Sequence, residues 1–239
     1  MPVYLLNEDL VFPKPSLARE DGLLAVGGDL SVERLLLAYR GGIFPWYTDT
    51  DPILWWSPDP RLVLDPKTFY MPRRLRRQCR RCGWQITLDR DFAQVISACA
   101  GIRDISGEGT WITAEMAAAY RRLHTLGYAH SVEVWDDGAL IGGLYGVSVG
   151  KGFFGESMFS RCPNASKIAL AALVQFLSRQ GFHFIDCQVT TAHLMQFGAA
   201  EVPRAVFLRK LNQASRAPGL TGRWDWEVSA ASLVSGQKG

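Results

Sequence analysis

The chain has no apolar run long enough to cross a membrane. Its best candidate, Ile168 to Val174, is interrupted by Gln175 and falls well short of the roughly 20 residues a span requires. The opening segment, Met1 to Asp9, carries acids where a secretory signal carries basic residues, so the expected address is the cytoplasm. Five cysteines, at 79, 82, 99, 162 and 187, are too few and too irregular for a disulfide framework, and reduced thiols suit that address. No Gly-rich phosphate loop follows a strand. None of His124, His130, His183 and His193 is accompanied by a Gly-x-Ser-x-Gly nucleophile turn, so neither ATP chemistry nor covalent catalysis is expected. Repeats and low-complexity stretches are absent, and only the residues from about Ala230 read as a loose tail.

What is there suits a folded protein at the upper end of one domain, or one large domain with a small annex. Of 239 residues, 48% are hydrophobic and 21% charged, enough for a sizeable core. Formal net charge is only +3. Six of the 26 basic residues lie between Arg73 and Arg81, and without them the remaining 20 against 23 acids would leave −3. The basic character is therefore local, as at a docking surface.

The first 60 or so residues are rich in Gly, Pro and Trp, with one helix capped by Ser31 and stopped by Gly41. Pro58 and Pro60 rule out a regular element around them. Beyond Arg61 strands and helices alternate. The pattern predicts a strand at Leu62 to Leu64, a helix from Pro72 to Gly83, a strand at Gln85 to Leu88, and helices at Phe92 to Ala100 and Ala114 to Leu126. Strands at His130 to Trp135, Ala139 to Val147 and Phe153 to Met158 follow, joined by Asp136-Asp-Gly138 and Gly150-Lys-Gly152 as an antiparallel meander. A helix from Ala165 to Gln180 is apolar around most of its circumference and must be well buried. A strand at Phe182 to Val189, a short helix at Ala192 to Phe197 and a last strand at Val206 to Leu211 complete the chain. This order predicts an α+β, acetyltransferase-like (GNAT-type) carboxy-terminal domain, residues 63–239, after a small amino-terminal α/β domain, residues 1–62.

Several clusters could carry chemistry. Arg73, Arg76, Arg77 and Arg80 line one helix face, with Arg74 and Arg81 beside it, while Leu75, Cys79 and Cys82 face inward. A solvated face is the bland explanation. Yet the run contains no acid, and like charges at this spacing destabilise a helix, so an anionic partner such as a phosphate backbone would offset the cost. Cys79-Arg-Arg-Cys82 matches half a zinc knuckle, but no second pair of ligands stands at a suitable distance. Trp46 and Trp111 lie in loops, where rings either stack on bases or cement packing; Trp55 and Trp56 are better read as cement.

In the strand Phe153 to Met158, alternation puts Phe154, Glu156 and Met158 on one face. A carboxylate there is costly unless paired or liganded. Asp186 and Gln188 likewise share a face of the following strand, with Ile185 opposite. Each is either part of a structural network or part of a site.

Gly27-Gly-Asp-Leu30, Gly42-Ile-Phe-Pro-Trp46, Trp55-Trp-Ser-Pro-Asp-Pro-Arg61, Gly109-Thr-Trp-Ile-Thr113, Gly142-Gly-Leu-Tyr-Gly146, Gly155-Glu-Ser-Met-Phe-Ser-Arg161, Asn164-Ala-Ser-Lys167 and Asp186-Cys-Gln188 together resemble the bacterial leucyl/phenylalanyl-tRNA–protein transferase family. The resemblance runs to about Leu211. It implies transfer of leucine or phenylalanine, with methionine as a further donor, from aminoacyl-tRNA to the amino terminus of proteins beginning with Arg or Lys, which marks them for degradation. It also implies that Trp46 and Trp111 hold the terminal adenosine and that Glu156 contacts the aminoacyl adenosine. Leu144, Phe153, Met158, Leu173, Leu177 and Ile185 would line the amino-acid pocket, Asp186 and Gln188 would be the catalytic pair, and the six arginines would touch the tRNA. No cofactor, metal or membrane is implied, and a monomer is expected.

Two of these roles strain against strand geometry and acid–base chemistry. Ile185 cannot share a face with Asp186, so either the strand bulges or Ile185 reaches the pocket from behind. Gln188 is too weak a base to be more than an orienting group. Two other functions compete: a coenzyme-A-dependent N-acetyltransferase and a non-catalytic RNA-binding module. The first normally carries a Gly-rich pyrophosphate loop where this chain has Phe159-Ser-Arg-Cys-Pro-Asn-Ala-Ser-Lys167, which contains no glycine. The second leaves Glu156, Asp186 and Gln188 unexplained.

Overall fold

A computed structural model describes residues 2–105 and 112–235. In chain order the strands are β1 Tyr4–Leu6, β2 Leu23–Gly27, β3 Phe44–Pro45, β4 Leu54–Trp56, β5 Arg61–Leu64, β6 Gln85–Leu88, β7 Ala129–Asp136, β8 Ala139–Val149, β9 Gly152–Ser160, β10 Phe184–Gln188, β11 Ala200–Val202 and β12 Glu227–Ser229. The helices are α1 Val32–Arg40, α2 Arg73–Arg81, α3 Phe92–Ile105, α4 Ala114–Thr125, α5 Ala165–Arg179, α6 Ala192–Met195 and α7 Arg204–Arg216. Together they form a mixed α/β structure.

The strands make two sheets, one in the order β1-β2-β4-β3 and one of eight strands in the order β11-β5-β10-β9-β8-β7-β6-β12. The large sheet is packed on both faces. On one side α2, α5 and the 3₁₀ turn Ala230–Val234 bury Leu144, Phe153 and Ile185; on the other α1, α3, α4 and α7 bury Tyr145, Phe154 and Phe184. The small sheet joins this second core, with Trp55 fully buried, its indole donating to Gly27 O at 2.9 Å. Helix α5 lies on the sheet as its circumference of Ile168, Leu173 and Leu177 requires.

Three expectations need correction. Val206 to Leu211 is not a strand but the middle of α7, entered through Pro203, and its buried residues Phe207, Leu211 and Ala214 follow helical spacing. Six residues with Arg209 and Lys210 among them are too short a window to distinguish the two periods. The segment Ala230–Val234 is not loose: Ala230, Leu233 and Val234 are buried, preceded by β12, which pairs with β6, while residues 236–239 lie outside the described residues. Strand β9 does not alternate regularly either. Its register against β8 shifts between Ser157 opposite Tyr145 and Gly155 opposite Gly146, so Glu156 is the extra residue of a bulge. Phe153 and Met158 therefore pack on the α5 side together, and Met158 parts company with Phe154.

Gly146, opposite that bulge, has no room for a side chain. A Cβ there would overlap the Phe154 carbonyl oxygen and the Phe153 ring. Gly146→Ala is expected to destabilise the protein by about 1–3 kcal/mol, read as a lower denaturation midpoint at unchanged slope; an unchanged midpoint would mean that the bulge is not pinned by this contact.

Candidate active site

Strand β10 runs parallel to β9 for three residue pairs only, Phe184–Gly152, Ile185–Phe153 and Asp186–Phe154, while β9 continues to Ser160 along β8. Past Asp186 the sheet has opened. A cavity of about 450 Å³ occupies the opening, with Gly155 to Met158 on one bank and Ile185 to Val189 on the other. That size suits a small-molecule site.

The cavity divides by chemistry. Leu144, Phe153, Met158, Leu170, Leu173 and Ile185 make an apolar end over α5, and Glu156, Asp186 and Gln188 make a polar bank. Ile185 belongs to the α5 core whereas Asp186 turns toward the other face. Both line the cavity because it lies where the sheet parts, which reconciles Ile185 with Asp186 without moving either. The strand does bulge, but one step later: Asp186 pairs with Val63 and Gln188 with Leu62, skipping Cys187. Gln188 takes φ +63°, and its N–H donates to Asp186 Oδ1 at 2.9 Å. Asp186 and Gln188 thus oppose successive residues of β5 and do not share one strand face as regular alternation predicts.

Asp186 is fully buried and bound by Arg61, which donates from Nε to Oδ1 at 2.8 Å and from Nη2 to Oδ2 at 2.6 Å. The guanidinium is itself sandwiched between the Phe44 and Phe207 rings, 4.8 and 4.7 Å from their centroids. Such a forked charge pair is strong and directional. With both carboxylate oxygens engaged, Asp186 holds the β10 bulge in shape. Sequence reasoning missed Arg61. The one signal pointing to it was that a buried acid demands a cation.

Glu156 sits between the banks. Oε1 contacts the Tyr39 hydroxyl at 2.8 Å and accepts from Gln188 Nε2 at 2.9 Å, Oε2 contacts the Tyr120 hydroxyl at 3.0 Å, and the two hydroxyls contact each other. Burial drives its carboxyl up to about 8. The Tyr39, Tyr120 and Gln188 contacts oppose that shift, and the Asp186 charge adds to it. Both tyrosines are pushed well above the usual phenol range, first by burial and then by Glu156.

The other expected residues are placed as follows. Trp46 stands half exposed at the rim, its ring 5.7 Å from that of Trp56. Leu177 is buried on α5 but does not line the cavity; Leu170, two turns toward the helix start, does. Trp111 lies outside the described residues. Arg73, Arg74, Arg77, Arg80 and Arg81 are exposed, and Arg76 donates to Met71 O at 3.0 Å. Among the described residues none of the six makes an ion pair. Helix α2 is tied to the start of α5 through Gln78, which donates to Pro163 O and accepts from Asn164 Nδ2. No helix among the described residues is long and apolar enough to cross a membrane.

Residues 63–212 match the family model described as leucyl/phenylalanyl-tRNA protein transferase, and residues 28–59 match its N-terminal domain. The leucyl/phenylalanyl-tRNA–protein transferase of Desulfatibacillum aliphaticivorans is 60% identical, covering 95% of this chain and 97% of its own length. That of Anaeromyxobacter dehalogenans (strain 2CP-C) is 56% identical over 96% and 98%. Among solved structures, L-PGS from Bacillus licheniformis overlays with a TM-score of 0.37 at 14% identity, covering 71% of this chain and 54% of that one, too distant to bear on the chemistry. Identity at this level over nearly the whole length decides the matter: the chain belongs to the leucyl/phenylalanyl-tRNA–protein transferase family of aminoacyltransferases.

Proposed function

We propose that the protein moves leucine or phenylalanine, and methionine as a further donor, from aminoacyl-tRNA to the α-amino group of proteins beginning with Arg or Lys, in the cytoplasm and as a monomer, marking them for degradation. The observation that carries this reading is the cavity itself, an apolar end beside a polar bank, set where two parallel strands part. That arrangement is also what an acetyltransferase-type (GNAT-type) fold would offer an acyl donor. The aminoacyl side chain would enter among Leu144, Phe153, Met158, Leu173 and Ile185. Trp46 at the rim would stack on the terminal adenine, with Trp111 as its partner, and the arginines of α2 would follow the tRNA phosphates.

One N–H of the Gln188 side-chain amide donates to Glu156, which turns the amide oxygen toward the acceptor amine as an acceptor. The amine nitrogen, neutral in a usable fraction because its pKa is about 8, attacks the ester carbonyl carbon. A C–N bond forms, the C–O bond breaks, and the departing ribose oxygen takes the proton the nitrogen loses. An aminoacyl ester is already activated, so alignment supplies most of the rate.

Incubating the protein with an Arg-initiated peptide and either labelled leucyl-tRNA or labelled acetyl-coenzyme A tests this. Label should reach the peptide from the tRNA alone. Transfer from acetyl-coenzyme A would make it an acetyltransferase, and tRNA binding without transfer would make it an RNA-binding module.

A further inference from the structure

Glu156, Tyr39 and Tyr120 form a triangle of three oxygen–oxygen contacts. Each contact needs a proton to be attractive, and each tyrosine carries only one. With an ionised Glu156 there are two protons for three edges, and one edge would set lone pairs against each other in a buried site. A third proton closes the figure. We infer that Glu156 is carried in the resting site as an uncharged carboxylic acid, the third donor of a closed ring with the Tyr39 and Tyr120 hydroxyls, and that these two tyrosines are positioning residues that hold it so.

The direction of the ring follows from Gln188. Its amide N–H already donates to Oε1, so Oε1 is the carbonyl oxygen and also accepts from Tyr39. Oε2 carries the proton and donates to Tyr120, and Tyr120 donates to Tyr39. Among the described residues the other ionisable groups around this point are Tyr145 on β8, Cys187 and Asp186 on β10 and His193 on α6, all lining the cavity; the Asp186 charge is matched by Arg61 on β5. Among the described residues the side chains that bond Glu156 are Tyr39, Tyr120 and Gln188, none of them cationic, and the elevation of its carboxyl to about 8 runs the same way.

The chemical consequence rests on the transfer reading above. A carboxylate beside the incoming amine would stabilise its ammonium form, which has no lone pair to attack with. An uncharged acid orients Gln188 without that penalty. The ring gains and loses no proton over the cycle, since the ribose oxygen takes the proton the nitrogen gives up.

Carbon-13 labelling of glutamate side-chain carboxyls in the full-length protein tests the proton directly, with the Glu156 resonance assigned from Glu156→Gln. At pH 7 it should stand at the protonated position and move to the ionised one with a midpoint of about 8. A resonance already ionised at pH 7 overturns the inference, whether or not the protein transfers anything. The pH profile of kcat/KM for peptide transfer tests the consequence. The wild type should decline as pH rises past about 8, and Tyr39→Phe and Tyr120→Phe should each displace that limb. Variant profiles parallel to the wild type at all pH values would reduce the tyrosines to packing. A wild type that transfers nothing overturns the functional reading alone, because the carboxyl titration still decides the proton.

Discussion

Arg61→Ala is expected to lower stability by about 3–5 kcal/mol and to abolish peptide transfer in the same variant. The guanidinium makes two bonds to Asp186, and neither residue has solvent to fall back on. Removing the cation strands a buried carboxylate, whose desolvation is then uncompensated. The cost also reaches the site, because Asp186 Oδ1 holds the Gln188 N–H and with it the bulge at φ +63°. Adding Asp186→Asn to the alanine variant removes the orphaned charge while keeping an oxygen for Gln188, so the double variant should regain part of the lost stability. Denaturant titration of the two variants and the wild type decides this. A loss under about 1 kcal/mol for Arg61→Ala would mean that the pair behaves as an exposed ion pair does and does not anchor β10.

Gln188→Ala should reduce kcat for transfer by roughly 10²-fold with a smaller change in KM, the scale expected when a reacting group loses its alignment. Single-turnover transfer from leucyl-tRNA to an Arg-initiated peptide measures it, and near-wild-type turnover would remove Gln188 from the mechanism. Gln188→Glu separates alignment from basicity. Its carboxyl would lie within hydrogen-bond reach of Glu156, 2.9 Å in the native arrangement, so two acids would share one site and one would stay protonated. If Gln188 only orients, this variant stays slow at every pH. If it acts as a base, the variant recovers activity as the new carboxyl ionises.

The helices and long strands were legible because their cores are periodic. The period of α5 and the turns at Asp136 to Gly138 and Gly150 to Gly152 are local features, set by residues within a few positions of each other. Helix α7 was misread because six residues, four apolar and two basic, are too few to fix a period, and its partners on α1, β5 and β9 are far away in the chain. Strands β11 and β12 are three residues each and exist through the neighbours they pair with.

By itself the sequence singled out three polar groups set in apolar strands. A polar or acidic side chain in an apolar strand is anomalous wherever the strand ends up, so Glu156, Asp186 and Gln188 stood out. It could not say what they do. Arg61 stands 125 residues from Asp186, and Tyr39 stands 117 from Glu156 on a different element. Only the pairing of β5 with β10, and the docking of α1 and α4 against β9, makes Asp186 half of an ion pair and Glu156 one vertex of a ring. The cavity has the same origin. Ile185 and Asp186 point to opposite faces, as alternation demands, and meet one space because the hydrogen bonding between β9 and β10 stops after Asp186. Periodicity assigns a side chain to a face; where two strands part is decided by what packs against each of them.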